Sequence, residues 1–255
     1  MDQSTMDKLH EMRFPKMAEQ YLLQSEDPEH WRNASFDERF ASLVDAEYRN
    51  RILNRRARLL KSAKLEQPHA RIEEINYESG RNLDRKLINQ LATCRYIDEY
   101  NNVFLIGATG SGKTYLACAL GYEACQNDLS TMFVRLPDFL MEMSLARQDG
   151  SFIKAMKKYT QPKLLILDEW LLFTPKEEEC KNIAELIHKR RKHSSTIFCS
   201  QYDENEWYEQ LSGSDNPIAD SILDRIIHNA YKIDIRPIDP DKDISMREVY
   251  GLKHR

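Results

Sequence analysis

The stretch Val103-Phe104-Leu105-Ile106-Gly107-Ala108-Thr109-Gly110-Ser111-Gly112-Lys113-Thr114 decides how the rest of the chain is read. An apolar run of strand character enters a glycine-rich turn, and Tyr115-Leu116-Ala117-Cys118-Ala119-Leu120 continues as a helix. This is the P-loop pattern G-x-x-x-x-G-K-[ST] in the strand–turn–helix setting that it requires. Glycines let the backbone wrap tightly and turn successive N–H groups inward. The helix that follows adds the positive end of its dipole to this anion nest. The pattern therefore predicts a nucleotide cradle from Gly107, Ala108, Thr109, Gly110, Ser111, Gly112, Lys113, Thr114 and Tyr115. Lys113 supplies a point charge for the β- and γ-phosphates, and Thr114 a hydroxyl for Mg²⁺.

A phosphate cradle needs a partner acid for the metal, and Leu164-Leu165-Ile166-Leu167-Asp168-Glu169 provides it as a buried strand ending in two carboxylates. Asp168 is expected to hold Mg²⁺ through its water shell, and Glu169 to orient and activate the attacking water. Between Lys113 and Asp168 there is room for an additional strand, Thr131–Arg135. This favours the P-loop division with an inserted strand and a catalytic glutamate over the kinase and GTPase division; no N-K-x-D guanine-reading motif occurs. The next strand, Thr196–Ser200, should run beside the Asp168 strand and bring Ser200 and Gln201 near the γ-phosphate, as a phosphate sensor or as the holder of the water. With Val103–Ile106 and Tyr231–Ile235, these runs give five short strands separated by helical patterns, the signature of a parallel sheet covered on both faces.

Arg225 stands in the apolar helix-like run Asn216–Ile227. Two readings are open: an arginine finger that reaches a neighbouring subunit's γ-phosphate, or an intrahelical pairing with Asp224 or Asp220. Arg190 and Arg191 compete for the finger role. Their setting, Lys189-Arg190-Arg191-Lys192-His193, reads instead as a solvent-facing complement to a helix C-terminus.

Ahead of the P-loop the chain looks helical over residues 1–95, with a capping-box signature at Ser35-Phe36-Asp37-Glu38. From there Phe36, Phe40, Leu43, Val44, Tyr48, Ile52, Leu59 and Leu60 recur at helical spacing, and Gln67-Pro68 stops the pattern. This places a helical domain over 1–67 and the ATPase domain over 68–255. The charge is uneven. Residues 1–48 hold 5 Lys/Arg against 11 Asp/Glu, and residues 49–95 hold 12 against 5. The basic excess points to a polyanion or to an acidic partner surface, residues 1–48 themselves included. Arg51, Arg55 and Arg58 fall on one narrow helical face and are the phosphate candidates, whereas Arg56 falls inside the apolar arc. The cysteines lack C-x-x-C spacing and read as reduced, packed thiols. With no signal-peptide pattern and no run of membrane-spanning length, a soluble cytoplasmic protein is expected.

These motifs together resemble the IstB/DnaC group of AAA+ ATPases, and most closely the IstB-like helper ATPases of bacterial insertion sequences. Carrying the resemblance are the P-loop with Tyr115-Leu116-Ala117, Leu165–Glu169, Thr196–Tyr202, Ile218–Ala230, the Arg49–Lys64 segment and Arg81-Asn82-Leu83. The resemblance implies a three-layer αβα domain and an ATP-dependent homo-oligomer on double-stranded DNA that recruits and activates a transposase. It also implies Arg225 as the trans-acting finger and Ser200–Gln201 as the sensor region. Glu169 departs from the second aspartate of many relatives without changing the roles. Only 30 residues follow Arg225, too few for the usual helical lid, so a lid should be absent or vestigial, with Arg247 a substitute cation or a solvated tail residue. Related initiator-type proteins carry a DNA-facing helical insertion where Lys154, Lys157 and Lys158 occur, on one side of a helix. A helicase loader of the DnaC kind is the alternative. Neither basic patch has base-reading features, so mostly backbone contacts with a steep salt dependence are expected.

Overall fold

The computed structural model describes residues 3–78, 80–212, 217–228 and 230–237. Arg247 and the region where a lid would follow lie outside the described residues. The chain divides into two compact units, residues 1–58 and 59–255.

The first unit contains α1 (Gln3–Glu11), α2 (Pro15–Glu26) and most of α3 (Phe36–Ala63). The capping box at the start of α3 is formed: Ser35 N–H donates to Glu38 Oε2 at 2.8 Å, and Glu38 N–H to Ser35 Oγ at 3.2 Å. The helical spacing after it does not mark a buried face. Phe36, Phe40, Val44 and Tyr48 are 78%, 49%, 43% and 63% exposed, with Phe36 and Phe40 stacked at 5.9 Å. Helix α3 outlasts the first unit. Leu59, Leu60, Ala63 and Leu65 pack in the core of the second unit, which moves the division nine residues ahead of Gln67-Pro68.

The second unit is built on β1 (Asn102–Ile106), β2 (Thr131–Arg135), β3 (Leu164–Asp168), β4 (Ser195–Ser200) and β5 (Ala230–Asp234). All pairings are parallel, in the order β2-β3-β4-β1-β5. The strands are apolar runs because both faces are covered. Val103 and Leu105 pack on one side with α4 (Arg85–Ala92), α5 (Arg95–Asp98) and α6 (Lys113–Gln126). Phe104 and Ile106 pack on the other with α7 (Leu136–Gln148), α8 (Phe152–Thr160), α9 (Glu177–Arg190), α10 (Glu204–Ser212) and α11 (Pro217–Ile227). The result is the αβα sandwich expected. Cys94, Cys118, Cys125, Cys180 and Cys199 are buried free thiols.

One charge departs from expectation. Arg190 does not face solvent: it is 2% exposed. Its guanidinium donates to Thr196 Oγ1 at 3.0 Å, Tyr159 O at 2.8 Å, Pro162 O at 3.0 Å and Ser195 O at 2.5 Å. Five fixed donors match a set of strand-end and loop carbonyls that would otherwise be buried without partners. Burial lowers the Arg190 pKa to about 9, so it stays charged at neutral pH.

Candidate nucleotide site

The strand order puts the tip of β4 between those of β3 and β1, so the P-loop and the acidic strand end face one another across one strand. Such strand-end crevices are where open α/β sheets bind ligands. Gly107, Gly110 and Gly112 adopt φ of 157°, 79° and 100°. A Cβ on Gly107 would lie 2.9 Å from Ser111 Oγ and 3.3 Å from Ile235 O, so a side chain there would fill the cradle. Lys113 reaches back into the loop, donating to Gly107 O at 2.7 Å and Ala108 O at 2.8 Å. Burial lowers its pKa, with the Arg81 charge acting in the same direction and Cys199 and Asp168 opposing. Ser111 is 2% exposed, yet its hydroxyl has no hydrogen-bond partner. A buried polar atom left open beside a nest of loop amides fits a site built for phosphate oxygens.

Thr114 Oγ1 donates to Asp168 Oδ2 at 2.7 Å, which joins the first turn of α6 to the end of β3. A threonine hydroxyl and one carboxylate are the protein's usual share of a Mg²⁺ shell completed by water and phosphate. Asp168 Oδ1 accepts from the Glu169 amide at 2.9 Å, and Glu169 takes a left-handed φ of 56°. The Glu169 carboxylate lies 3.6 Å from Arg135 Nη1, while Arg135 also donates to both oxygens of Asp138 at 2.9 and 3.0 Å. Arg135 was invisible to motif reading. Its signal is positional, as the last residue of β2, in register with Asp168.

Other expected residues are placed differently. The Tyr115 hydroxyl bonds Arg71 and Glu74, tying α6 to the 72–74 turn. Ser200 is 1% exposed and its hydroxyl is engaged by Trp170, Tyr202 and Trp207, whereas Gln201 is exposed at the tip of β4. Arg225 lies at the opposite end of the sheet. It shares a cleft with Asn102 and Thr196 at the starts of β1 and β4, and Asn102 Nδ2 donates to Ile226 O at 3.2 Å. The acids that offered it an intrahelical partner hold other groups: Asp224 lies 2.6 Å from His228 Nε2, and Asp220 accepts from the Tyr208 hydroxyl.

The basic residues divide as well. Arg51, Arg55 and Arg58 do line one groove, joined by Arg13, which sequence reasoning missed. Arg51 is nonetheless built into its unit. It bonds Glu47 at 2.9 Å and Arg13 O at 3.0 Å, and its guanidinium lies 4.8 Å from the Phe14 ring. On α8, Lys154 and Lys157 are exposed, but Lys158 is paired with Glu142 at 2.7 Å.

Similarity to known proteins agrees with this geometry. The family described as IstB-like ATP binding protein matches residues 7–242. A protein of Sinorhizobium fredii named as an insertion sequence ATP-binding protein is 36% identical over 234 residues, covering 91% of this chain and 93% of its own. Among solved structures, a DNA replication initiation factor superposes with a TM-score of 0.56 at 19% identity. That match covers 73% of this chain and 54% of the other, so this chain spans about half of that protein. The DnaC helicase loader superposes with a TM-score of 0.52 at 18% identity, over 65% of this chain and 96% of that one. At such identities the structural likeness speaks for the fold. No helix among the described residues is long and apolar enough to cross a membrane.

Proposed function

The chain belongs to the family of IstB-like ATP binding proteins, and on that premise we propose that it hydrolyses ATP between subunits of a homo-oligomer assembled on double-stranded DNA, and so delivers and activates a transposase. The observation that carries the reading is the 2.7 Å contact between Thr114 and Asp168 beside a P-loop whose lysine is already buried in the cradle. Thr114 and Asp168 would hold Mg²⁺, which supplies neutralisation of the phosphate charge. Lys113 and the amides of residues 107–114 bind and orient the triphosphate, and Glu169 accepts the proton of the attacking water. Gln201, at the exposed tip of β4, is the better phosphate sensor of the two residues expected there.

Arg225 completes the site from a neighbour. Its own P-loop is separated from it by the length of β1, roughly 15 Å of strand, so a guanidinium at the start of the sheet cannot serve its own nucleotide. Lys154, Lys157, Arg55 and Arg58 make sequence-independent phosphate contacts. The helicase-loader alternative rests on fold likeness alone, whereas the sequence relatives carry insertion-sequence names.

Phosphate release with and without duplex DNA tests the reading. Glu169→Gln should lose hydrolysis by about a hundredfold or more yet remain as a DNA-bound oligomer with ATP. Lys113→Ala should fail to assemble in response to ATP. Normal assembly of Lys113→Ala with or without nucleotide would remove the coupling between ATP and assembly. Electron microscopy of the particles on duplex DNA with a non-hydrolysable analogue reads subunit number and nucleotide position together.

A further inference from the structure

Ser200 stands where a phosphate sensor is expected, but its hydroxyl has no capacity left. It donates to Trp170 O at 3.0 Å and accepts from the Tyr202 amide at 3.1 Å and from Trp207 Nε1 at 2.8 Å. One donor and two lone pairs are the whole inventory of a serine hydroxyl. Both indoles are completely buried: Trp170 packs 4.6 Å from Phe198 of β4, and Trp207 4.8 Å from Phe104 of β1.

What this hydroxyl grips is the carbonyl of Trp170, the residue that follows Glu169. Glu169 holds a left-handed backbone, which costs a non-glycine residue about 1 kcal/mol or more. Such a conformation persists only where its surroundings over-determine it. Before it, the Glu169 amide is fixed by Asp168 Oδ1. After it, the Trp170 amide donates to Cys199 O at 2.8 Å, and the Trp170 carbonyl accepts from Ser200. The indole of Trp207 orients the hydroxyl by donating to it, so the chain of contacts runs from α10 through the tip of β4 to the catalytic loop. Its outer end is tied to α11, the helix of Arg225, because the Tyr208 hydroxyl bonds Asp220.

We propose that Trp207 and Ser200 form a latch that positions Glu169 for hydrolysis, making Trp207 a positioning residue and removing Ser200 from direct contact with phosphate. The inference rests on the reading of Glu169 as the group that activates water. Trp207→Phe removes one N–H donor while keeping an aromatic ring against Phe104, and Ser200→Ala, made in parallel, removes the hub of the latch. For each, kcat, the Kd for an ATP analogue and Tm are measured on the full chain with duplex DNA. A displaced carboxylate should lower kcat by about tenfold while Kd stays within about twofold. The double variant should be no slower than Ser200→Ala alone, because both changes break one device. Unchanged kcat in both single variants overturns the latch. So does a loss of kcat that only follows weakened binding or a smaller folded fraction. Glu169→Gln separates the two failures: if that variant hydrolyses ATP like the parent, the reading of Glu169 falls, whereas if it is inactive while Trp207→Phe is fully active, the latch alone falls.

Discussion

The two units treat polar groups in opposite ways. In the second unit, side chains such as Arg190, Ser200 and Asp168 are almost wholly out of water, and each bonds more than one partner or a residue distant in sequence. In the first unit, apolar side chains such as Phe36 and Tyr48 lie in solvent, and the ion pair Lys16–Glu19 has both partners about half exposed. Gln24 and Glu47 are exceptions there, 3% and 6% exposed, each held by three hydrogen bonds. A parallel sheet covered on both faces offers its interior little water, so most polar groups buried there are matched within the chain. A small helical unit has less interior to offer. The difference teaches that the second unit is held by fixed internal geometry, whereas the first leaves much of its apolar and charged surface outside.

The sharpest way to break this contrast is Arg190→Leu. The substitution fills the space but withdraws donors from three backbone carbonyls and Thr196 Oγ1. Buried acceptors without partners should cost roughly 3 kcal/mol or more in total, read as a fall in the denaturant midpoint. A cost below 1 kcal/mol would mean that the matched interior of the second unit is less exacting than its contacts imply.

Glu47 tests one of these exceptions, with a smaller effect. Phe14, at the N-cap of α2, offers no side-chain acceptor, and Glu47 of α3 takes its place by accepting from the Lys16 amide at 3.0 Å and the Met17 amide at 3.4 Å. Burial alone would raise the Glu47 pKa, but the hydrogen bond from Arg51, the two amides and the Arg51 charge outweigh it and leave the pKa below the ordinary value of 4.5. A folded-state pKa below the unfolded one contributes stability above the unfolded pKa, which is lost as pH falls through the folded value. Glu47→Gln should therefore cost about 1–2 kcal/mol at neutral pH. Protection of the α2 amides in the full chain, taken relative to the intrinsic exchange rate at each pH, should fall in the parent below pH 4.5, with much less pH dependence in the variant. Equal pH responses would show that Glu47 is not the cap.

The contrast also explains which parts were legible in the sequence. Strands buried on both faces announce themselves as apolar runs, and the strands were placed within a residue at each end. The P-loop and Asp168 were legible because phosphate and metal chemistry prescribe both residue type and spacing. Arg190 was not, because a basic run at a helix end looks the same whether it meets water or a cluster of carbonyls. The stripe from Phe36 to Tyr48 misled for a related reason: periodicity reports that a helix has an apolar face, not that anything within the chain covers it. Ser200 ends β4, but its three partners come from residues 170, 202 and 207, and no local pattern announces that arrangement.

The smallest expected effects lie on α8 and sharpen the contrast within one helix. Lys154, Lys157 and Lys158 look alike in sequence, yet Lys158 meets Glu142 and the Tyr159 hydroxyl, and its pKa is raised because those partners outweigh its partial burial. A lysine already neutralised by a carboxylate releases little counterion on meeting a phosphate, whereas an exposed one contributes a full charge. Lys154→Ala and Lys157→Ala should each lower the slope of log affinity against log salt by about 1 and weaken binding to all duplex sequences alike. Lys158→Ala should leave that slope near the parent value. It should instead cost a few tenths of a kcal/mol in stability, the usual worth of a partly exposed pair. If all three variants shift the slope equally, the Glu142 pair opens on DNA and this helix behaves as a uniform basic surface. If only the first two do, pairing inside the protein has selected which charges are available to the phosphate backbone.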